Sequence, residues 1–248
     1  MNRRNVLEME PIELPDLPGI EEGLWMTLLE LAEVQPDNWT LIGGQMVLLH
    51  ALEQGVSLPR VSTDLDLLVN ARIATRAIRG LVQALQERGF ESAGMSPEGI
   101  AHRYARNGVS VDLLAPEGLG ERADLTTTPP GRTLEVPGGT QALKRTEIVP
   151  VVYRGRAGNV PRPSLMGALI CKACAVGVDD VPHAQRTDFA FLLSLIDDPL
   201  HMASKLKKKD RQRLRTRAEM GDSAHPSWRT LDADAAARGL ATYRLLTR

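Results

Sequence analysis

The sequence predicts an α/β (α+β) protein, a mixed-sheet half followed by a helical region. Three observations predict it. Short apolar strands alternate with amphipathic helices through the first half of the chain. Pro163-Ser164 then opens a change of character: Leu165, Leu169, Ala173 and Val176 make one helical stripe, and Phe189, Leu192, Leu193 and Ile196 another. Between these lies Ser62-Thr63-Asp64-Leu65-Asp66-Leu67-Leu68-Val69, a strand pattern carrying two carboxylates on one face. A boundary near residue 163 divides the chain into an α/β domain, 1–162, and a helical C-terminal domain, 163–248.

Taken in order, residues 1–19 hold Pro11, Pro15, Pro18 and Gly19 and read as an extended lead-in. Leu24, Leu28, Leu31 and Val34 have helical spacing, which predicts a helix over 20–34 ended by Pro36. Residues 39–42 are a short apolar strand. Gly43-Gly44 follows, then a helix over 45–54 and a loop over 55–59. The aspartate strand occupies 62–69, and an amphipathic helix runs over 74–88 until Gly89. Asn107-Gly108, a strong turn dipeptide, joins strands at 101–106 and 109–114. Residues 116–140, rich in Gly, Pro and Thr, read as an irregular excursion. Further strand follows at 147–154 and 159–160, with 155–158 between.

Composition excludes several classes. The 248 residues are 43% hydrophobic and 25% charged, as in ordinary globular proteins, and a net charge of −1 gives no global sign of nucleic-acid binding. The distribution is uneven. From Glu8 to Glu33 there are eight acidic residues and no basic one; from Lys205 to Arg217 there are eight basic residues and one acidic, Asp210. That asymmetry hints at a local anionic partner, although dense Lys/Arg helices are often solvated faces. No apolar run approaches the ~20 residues of a membrane helix, and Met1-Asn2-Arg3-Arg4 leads into no apolar signal core. The expectation is a cytoplasmic protein without a membrane partner. Cys171 and Cys174 form a Cys-x-x-Cys, but a zinc site needs four ligands and no second Cys pair or His-x-x-x-His exists. Mid-helix, they read as small core residues.

The chemistry gathers around the aspartates. Asp64 and Asp66 emerge side by side, repel each other and need a counter-charge, for which a hard divalent cation is suited. Asp112 is a lone acid in the apolar strand Val109-Ser110-Val111-Asp112-Leu113-Leu114, where a charge is costly without a partner. Gly43-Gly44 before a helix allows close approach and offers free N–H groups to a phosphate. Lys172, the one charged residue between Arg162 and Asp179, either snorkels to solvent or points at an anion.

Gly43-Gly44-Gln45, Arg60-x-Ser62-x-Asp64-x-Asp66, the strand with Asp112 and the later helix with Lys172 together resemble the polymerase-β-type nucleotidyltransferase superfamily. Within it the chain is most similar to the AbiEii-type (MenT-like) toxin nucleotidyltransferases, which also place an Asp ahead of a Leu-rich helix, here Asp188 in Arg186-Thr187-Asp188-Phe189-Ala190-Phe191-Leu192-Leu193. The likeness covers 38–70 and 109–114 well and 163–196 more loosely, and it departs from the family at Asp179-Asp180-Val181-Pro182, where a basic run is expected. The resemblance implies a polymerase-β-like core in which Gly43, Gly44 and Ser62 cradle the phosphates of an NTP, with Arg60 a weaker phosphate contact. It implies that Asp64 and Asp66 hold Mg²⁺ or Mn²⁺ on the triphosphate and that Asp112 joins them around a second metal. Lys172 would offset charge on the departing pyrophosphate, and Asp188 would order Lys172 or the acceptor. The implied reaction moves a nucleoside monophosphate to a hydroxyl, in this family a tRNA 3′ end, from a toxin paired with an antitoxin. The 205–217 stretch could grip RNA; an aromatic content of 4% argues against base stacking. Two alternatives stand beside it. An aminoglycoside-type nucleotidyltransferase would use the acidic Glu8 to Glu33 region for a cationic drug. A non-catalytic nucleic-acid or partner-binding module would not need the three aspartates.

Overall fold

The computed structural model describes residues 6–16, 22–60, 62–74, 76–120, 123–177 and 181–248. Residues 17–21, with the expected start of the first helix, and Asp179-Asp180 lie outside them. In chain order the elements are β1 (Ile12–Glu13), α1 (Glu22–Val34), β2 (Trp39–Ile42), α2 (Gly43–Glu53), β3 (Asp64–Val69), α3 (Ala77–Gln86), β4 (Glu91–Ser92), β5 (Arg103–Arg106), β6 (Val109–Pro116) and β7 (Glu135–Val136). Then come α4 (Gly139–Lys144), β8 (Thr146–Tyr153), β9 (Arg156–Pro163), α5 (Leu165–Ala175), α6 (Pro182–Ser194), α7 (Pro199–Lys205), α8 (Lys208–Arg215) and α9 (Ala233–Leu246), with short 3₁₀ turns at Ala218–Gly221 and Pro226–Thr230.

The strands form two sheets. The larger runs β2-β3-β6-β5-β4, with β7 added to β6; the smaller runs β1-β8-β9. The larger sheet is mixed. β3 lies antiparallel to β2 and parallel to β6, while β6 and β5 form an antiparallel hairpin. This is the α/β architecture expected, with helices dominating from α5 onward. A parallel β3–β6 pair needs a crossover, which α3, β4 and β5 supply.

Alternation places the apolar residues of β3 and β6 in the core. Leu65, Leu67, Val111 and Leu113 have no solvent exposure. Trp25 of α1 and Trp39 of β2 are also fully buried, each with its indole N–H donating to a backbone carbonyl, of Pro15 and Gln35 respectively. One hydrophobic cluster runs from Ile12 through Phe189 to Leu246, so α5, α6 and α9 share it with the sheets. α2 sits between them, touching β3 on one side and α5 and α6 on the other.

Some elements differ from expectation for local reasons. The helix after β2 begins at Gly43, not Gln45, because Gly43 takes φ +70 and turns the strand straight into α2. β3 begins at Asp64 rather than Ser62, whose position the turn before the strand occupies. The second hairpin is tighter than predicted. Arg154 (φ 48) and Gly155 (φ 80) form a two-residue turn, so β9 runs in full register with β8 from Arg156 to Pro163. The 116–140 excursion is more ordered than a loop. It carries β7, starts α4, and ties back through Tyr104–Thr128 (2.9 Å) and Thr133 donating to the Leu113 carbonyl. Cys171 and Cys174 are free thiols within α5; burial pushes the Cys171 thiol up to about 12, which suits a packing role.

Candidate metal and nucleotide site

The register of four strands builds the site. Asp66 on β3 lies opposite Ile42 at the end of β2 and opposite Asp112 on β6; Asp112 in turn lies opposite Arg103 on β5. Asp64 is two residues before Asp66 and so shares its face. The result is a row across the sheet at the point where β2 turns into α2. Oxygens of Asp64, Asp66 and Asp112 all lie within 4.8 Å of one another.

Such a cluster is electrostatically uneasy. Asp66 keeps a partly open edge, yet burial followed by the charges of Asp64 and Asp112 raises its carboxyl to about 7. Lys172 and Arg103 act in the opposite direction on Asp66. A set of three convergent carboxylates, one of them pushed well above its ordinary range by burial and its neighbours, is a donor set that fits a hard divalent cation.

The approach of α2 is equally specific. A Cβ on Gly43 would lie 1.7 Å from Oδ2 of Asp66, and one on Gly44 would lie 2.3 Å from the Cβ of Ser62. Both glycines are therefore required by close approach, and Gly43 also by its positive φ. Gln45 donates through Nε2 to the Ser62 carbonyl at 2.7 Å, and the Ser62 hydroxyl donates to Asp64 Oδ1. The loop before β3 is thus stitched to the first turn of α2, where unpaired helix N–H groups collect.

A second cluster stands on α5 and α6. Lys172 Nζ meets Asp188 Oδ2 at 2.7 Å and donates to Gln185 Oε1 at 2.8 Å. Arg60 donates to the same Asp188 through Nε and a terminal nitrogen, at 2.8 and 2.7 Å. Lys172 and Asp188 are both almost fully buried. One carboxylate thus holds two cations. Lys172 and Asp188, expected to act together, are brought together; Arg60 joins them through Asp188.

Sequence reading missed Arg103. Its guanidinium grips both oxygens of Asp112, at 2.8 and 2.7 Å, and comes to 3.7 Å from Asp64 Oδ2. The signal was present. A two-residue turn at Asn107-Gly108, where φ is 47 and 79, pairs Arg106 with Val109 and hence Arg103 with Asp112. His102 was also missed; its Nε2 is 3.7 Å from Asp112 Oδ2.

No family model matches this sequence, and no curated protein matches it. Among solved structures the chain is similar to an antigenic nucleotidyltransferase-like protein from Paracoccidioides brasiliensis, with a TM-score of 0.47 and 13% identity over 81% of this chain and 92% of that one. A likeness that distant says nothing about chemistry, which rests on the residues themselves.

The basic 205–217 stretch divides by residue type. Its arginines have partners within the protein: Arg211 donates to the Leu246 and Ala203 carbonyls, Arg215, although exposed, to that of Thr247, and Arg213 and Arg217 face Asp210 and Glu219. Lys205, Lys207, Lys208 and Lys209 are exposed. They border a cleft of about 920 Å³ with an apolar floor that includes Leu165, Met166 and Ile196. The acidic stretch near the N-terminus is partly paired within the fold, with Glu8, Glu10 and Glu13 exposed. Asp16 accepts from Tyr153 and Arg154, Glu30 pairs with Arg88 and Arg156, and Glu33 pairs with Arg156.

Proposed function

We propose that this chain is a metal-dependent nucleotidyltransferase that moves a nucleoside monophosphate from an NTP to an acceptor hydroxyl. The observation that carries the proposal is the convergence of Asp64, Asp66 and Asp112 against a helix start that only glycine permits. A divalent cation held by those three carboxylates would supply positive charge to the reacting phosphate and lower the pKa of the attacking hydroxyl. The close approach at Gly43 and Gly44 supports a phosphate meeting the backbone N–H groups at the start of α2, with Ser62, whose hydroxyl donates to Asp64, beside it. In the transfer, the hydroxyl gives up its proton to solvent, its oxygen bonds to the α-phosphorus, the α–β anhydride bond breaks, and pyrophosphate leaves. Lys172 and Arg60, both anchored on Asp188, offer positive charge to that leaving group.

For the acceptor we favour a nucleic acid, in the form of a tRNA 3′ end, and a toxin role checked by an antitoxin. The four exposed lysines beside the cleft support a polyanionic acceptor. An aminoglycoside acceptor would have to rely on the exposed Glu8, Glu10 and Glu13, because Asp16, Glu30 and Glu33 already have cationic or hydroxyl partners in the fold. Among the described residues no helix is long and apolar enough to cross a membrane. The test is incubation with each labelled NTP and Mg²⁺, offering total tRNA or an aminoglycoside. Label at the tRNA 3′ end, lost in Asp64→Asn, is the expected result. Label on the drug alone changes the acceptor, and label on neither overturns the proposal.

A further inference from the structure

Arg103 sits against two of the carboxylates proposed to hold a metal ion. It is the residue cross-strand from Asp112, both of its bonds to that carboxylate are near 2.7 Å, and its reach extends to Asp64. The fork of a guanidinium matches a carboxylate in geometry and charge, so this is the strongest pairing at the acidic row. It commits both oxygens of the one ligand that is most deeply buried. The side chain of Arg103 is nevertheless about half exposed, at 47%, so it has solvent into which to withdraw. A triphosphate also matches the same fork, and offers more negative charge than one carboxylate.

We propose that Arg103 is an internal counter-cation: it competes with divalent metal for Asp112 and Asp64 in the nucleotide-free protein and passes to the nucleotide's phosphates when these arrive. The inference rests on the carboxylate row being a metal centre. Without nucleotide, the guanidinium repels an incoming cation and holds Asp112 away from it. With nucleotide, it becomes a phosphate ligand and frees Asp112. The site then gathers its full metal complement only when substrate is present.

The experiment measures Mn²⁺ binding to the full chain by the loss of the free-ion electron paramagnetic resonance signal, with and without a non-hydrolysable NTP analogue. Arg103→Gln is expected to tighten nucleotide-free binding roughly tenfold, the size expected from removing one charge about 5 Å from a divalent ion in a largely solvated setting. With the analogue present, the gap between wild type and variant should shrink severalfold. Arg103→Met, which keeps the apolar stem, guards against a local folding effect and should give the same shift. Equal or weaker Mn²⁺ binding by both variants overturns the proposal, as does a gap unchanged by the analogue. Asp64→Asn separates the two readings. If it abolishes binding while the Arg103 variants behave like wild type, the metal centre stands and the role of Arg103 falls. If no form of the protein binds Mn²⁺ under any condition, the metal centre itself is refuted.

Discussion

At the scale of single residues, the approach of Gly43 to Asp66 is the most constrained in the site. A methyl group there would meet Asp66 Oδ2 at 1.7 Å, and φ +70 adds about 1–2 kcal/mol of left-handed strain for any other residue. Gly43→Ala should therefore push α2 off β3 and reduce nucleotide transfer by roughly 100-fold, a typical cost of ångström-scale misplacement. A transfer assay paired with a thermal melt checks this; near-normal activity would show that the glycine serves backbone geometry alone. Asp188 gives a prediction about stability. It is the shared partner of Lys172 and Arg60, and Lys172 is buried. Asp188→Asn leaves a buried ammonium without its counter-ion and should cost about 3–5 kcal/mol, read from the urea midpoint. A shift under about 1 kcal/mol would mean that Gln185 or water satisfies Lys172. These two clusters were unequally legible. Asp64, Asp66 and Asp112 announce themselves as charges in apolar strands. Arg103 looks like any exposed strand arginine until the turn at Asn107-Gly108 is used to count register.

At the scale of elements, the junction of α2 with β9 carries a pH response of its own. His50 on α2 is buried and bonded to the Pro163 carbonyl at 3.1 Å, with Arg162 and Glu53 close by. Burial, then the Arg162 charge, lowers its pKa from 6.5 to about 4. The unfolded chain therefore binds a proton that the folded chain refuses between those values. The His50 contribution to folding is full above pH 6.5 and falls by up to about 3 kcal/mol as the pH drops towards 4. Urea melts at pH ~7.5 and ~4.5 should show the loss as the difference between wild type and His50→Gln, because Asp66, whose carboxyl is raised to about 7, gains stability over the same fall in pH and opposes it in both proteins. An unchanged slope in the variant would assign the loss to other groups. Elements whose pattern is local were legible: α1, β2, β3 and the β5–β6 hairpin fall within a few residues of expectation. The pairing of β1 with β8 was not, because it joins Ile12 to Val151 and no local periodicity reports a partner so far along the chain. β7 and the start of α4 hid in a Gly/Pro/Thr-rich stretch, whose order comes from packing against β6.

At the scale of the molecule, the basic charges of 205–217 are sorted by partner. The arginines of α8 and its flanks hold carbonyls and acids of the helical half, while the neighbouring lysines face solvent. Replacing Lys207, Lys208 and Lys209 together by Glu should weaken tRNA binding and flatten its salt dependence by ~0.7 logarithmic units for each phosphate that the protein ceases to neutralise. The melting temperature should hardly move, since none of the three is buried. Filter binding across a salt series checks this; an unaltered slope would remove the cleft from the acceptor path. The same arginines explain why the 205–217 run overstated its outward charge when read as sequence.

The division of the site between two stretches of chain also has a consequence in time. Asp64, Asp66, Arg103 and Asp112 belong to one sheet, whereas Lys172 and Asp188 belong to helices made afterwards. At ~5–20 residues per second, the helix bearing Asp188 leaves the ribosome roughly 4–15 seconds after the strand bearing Asp112. During that interval a nascent chain could hold the acidic row, quieted by its own arginine, but not the cations proposed to receive pyrophosphate.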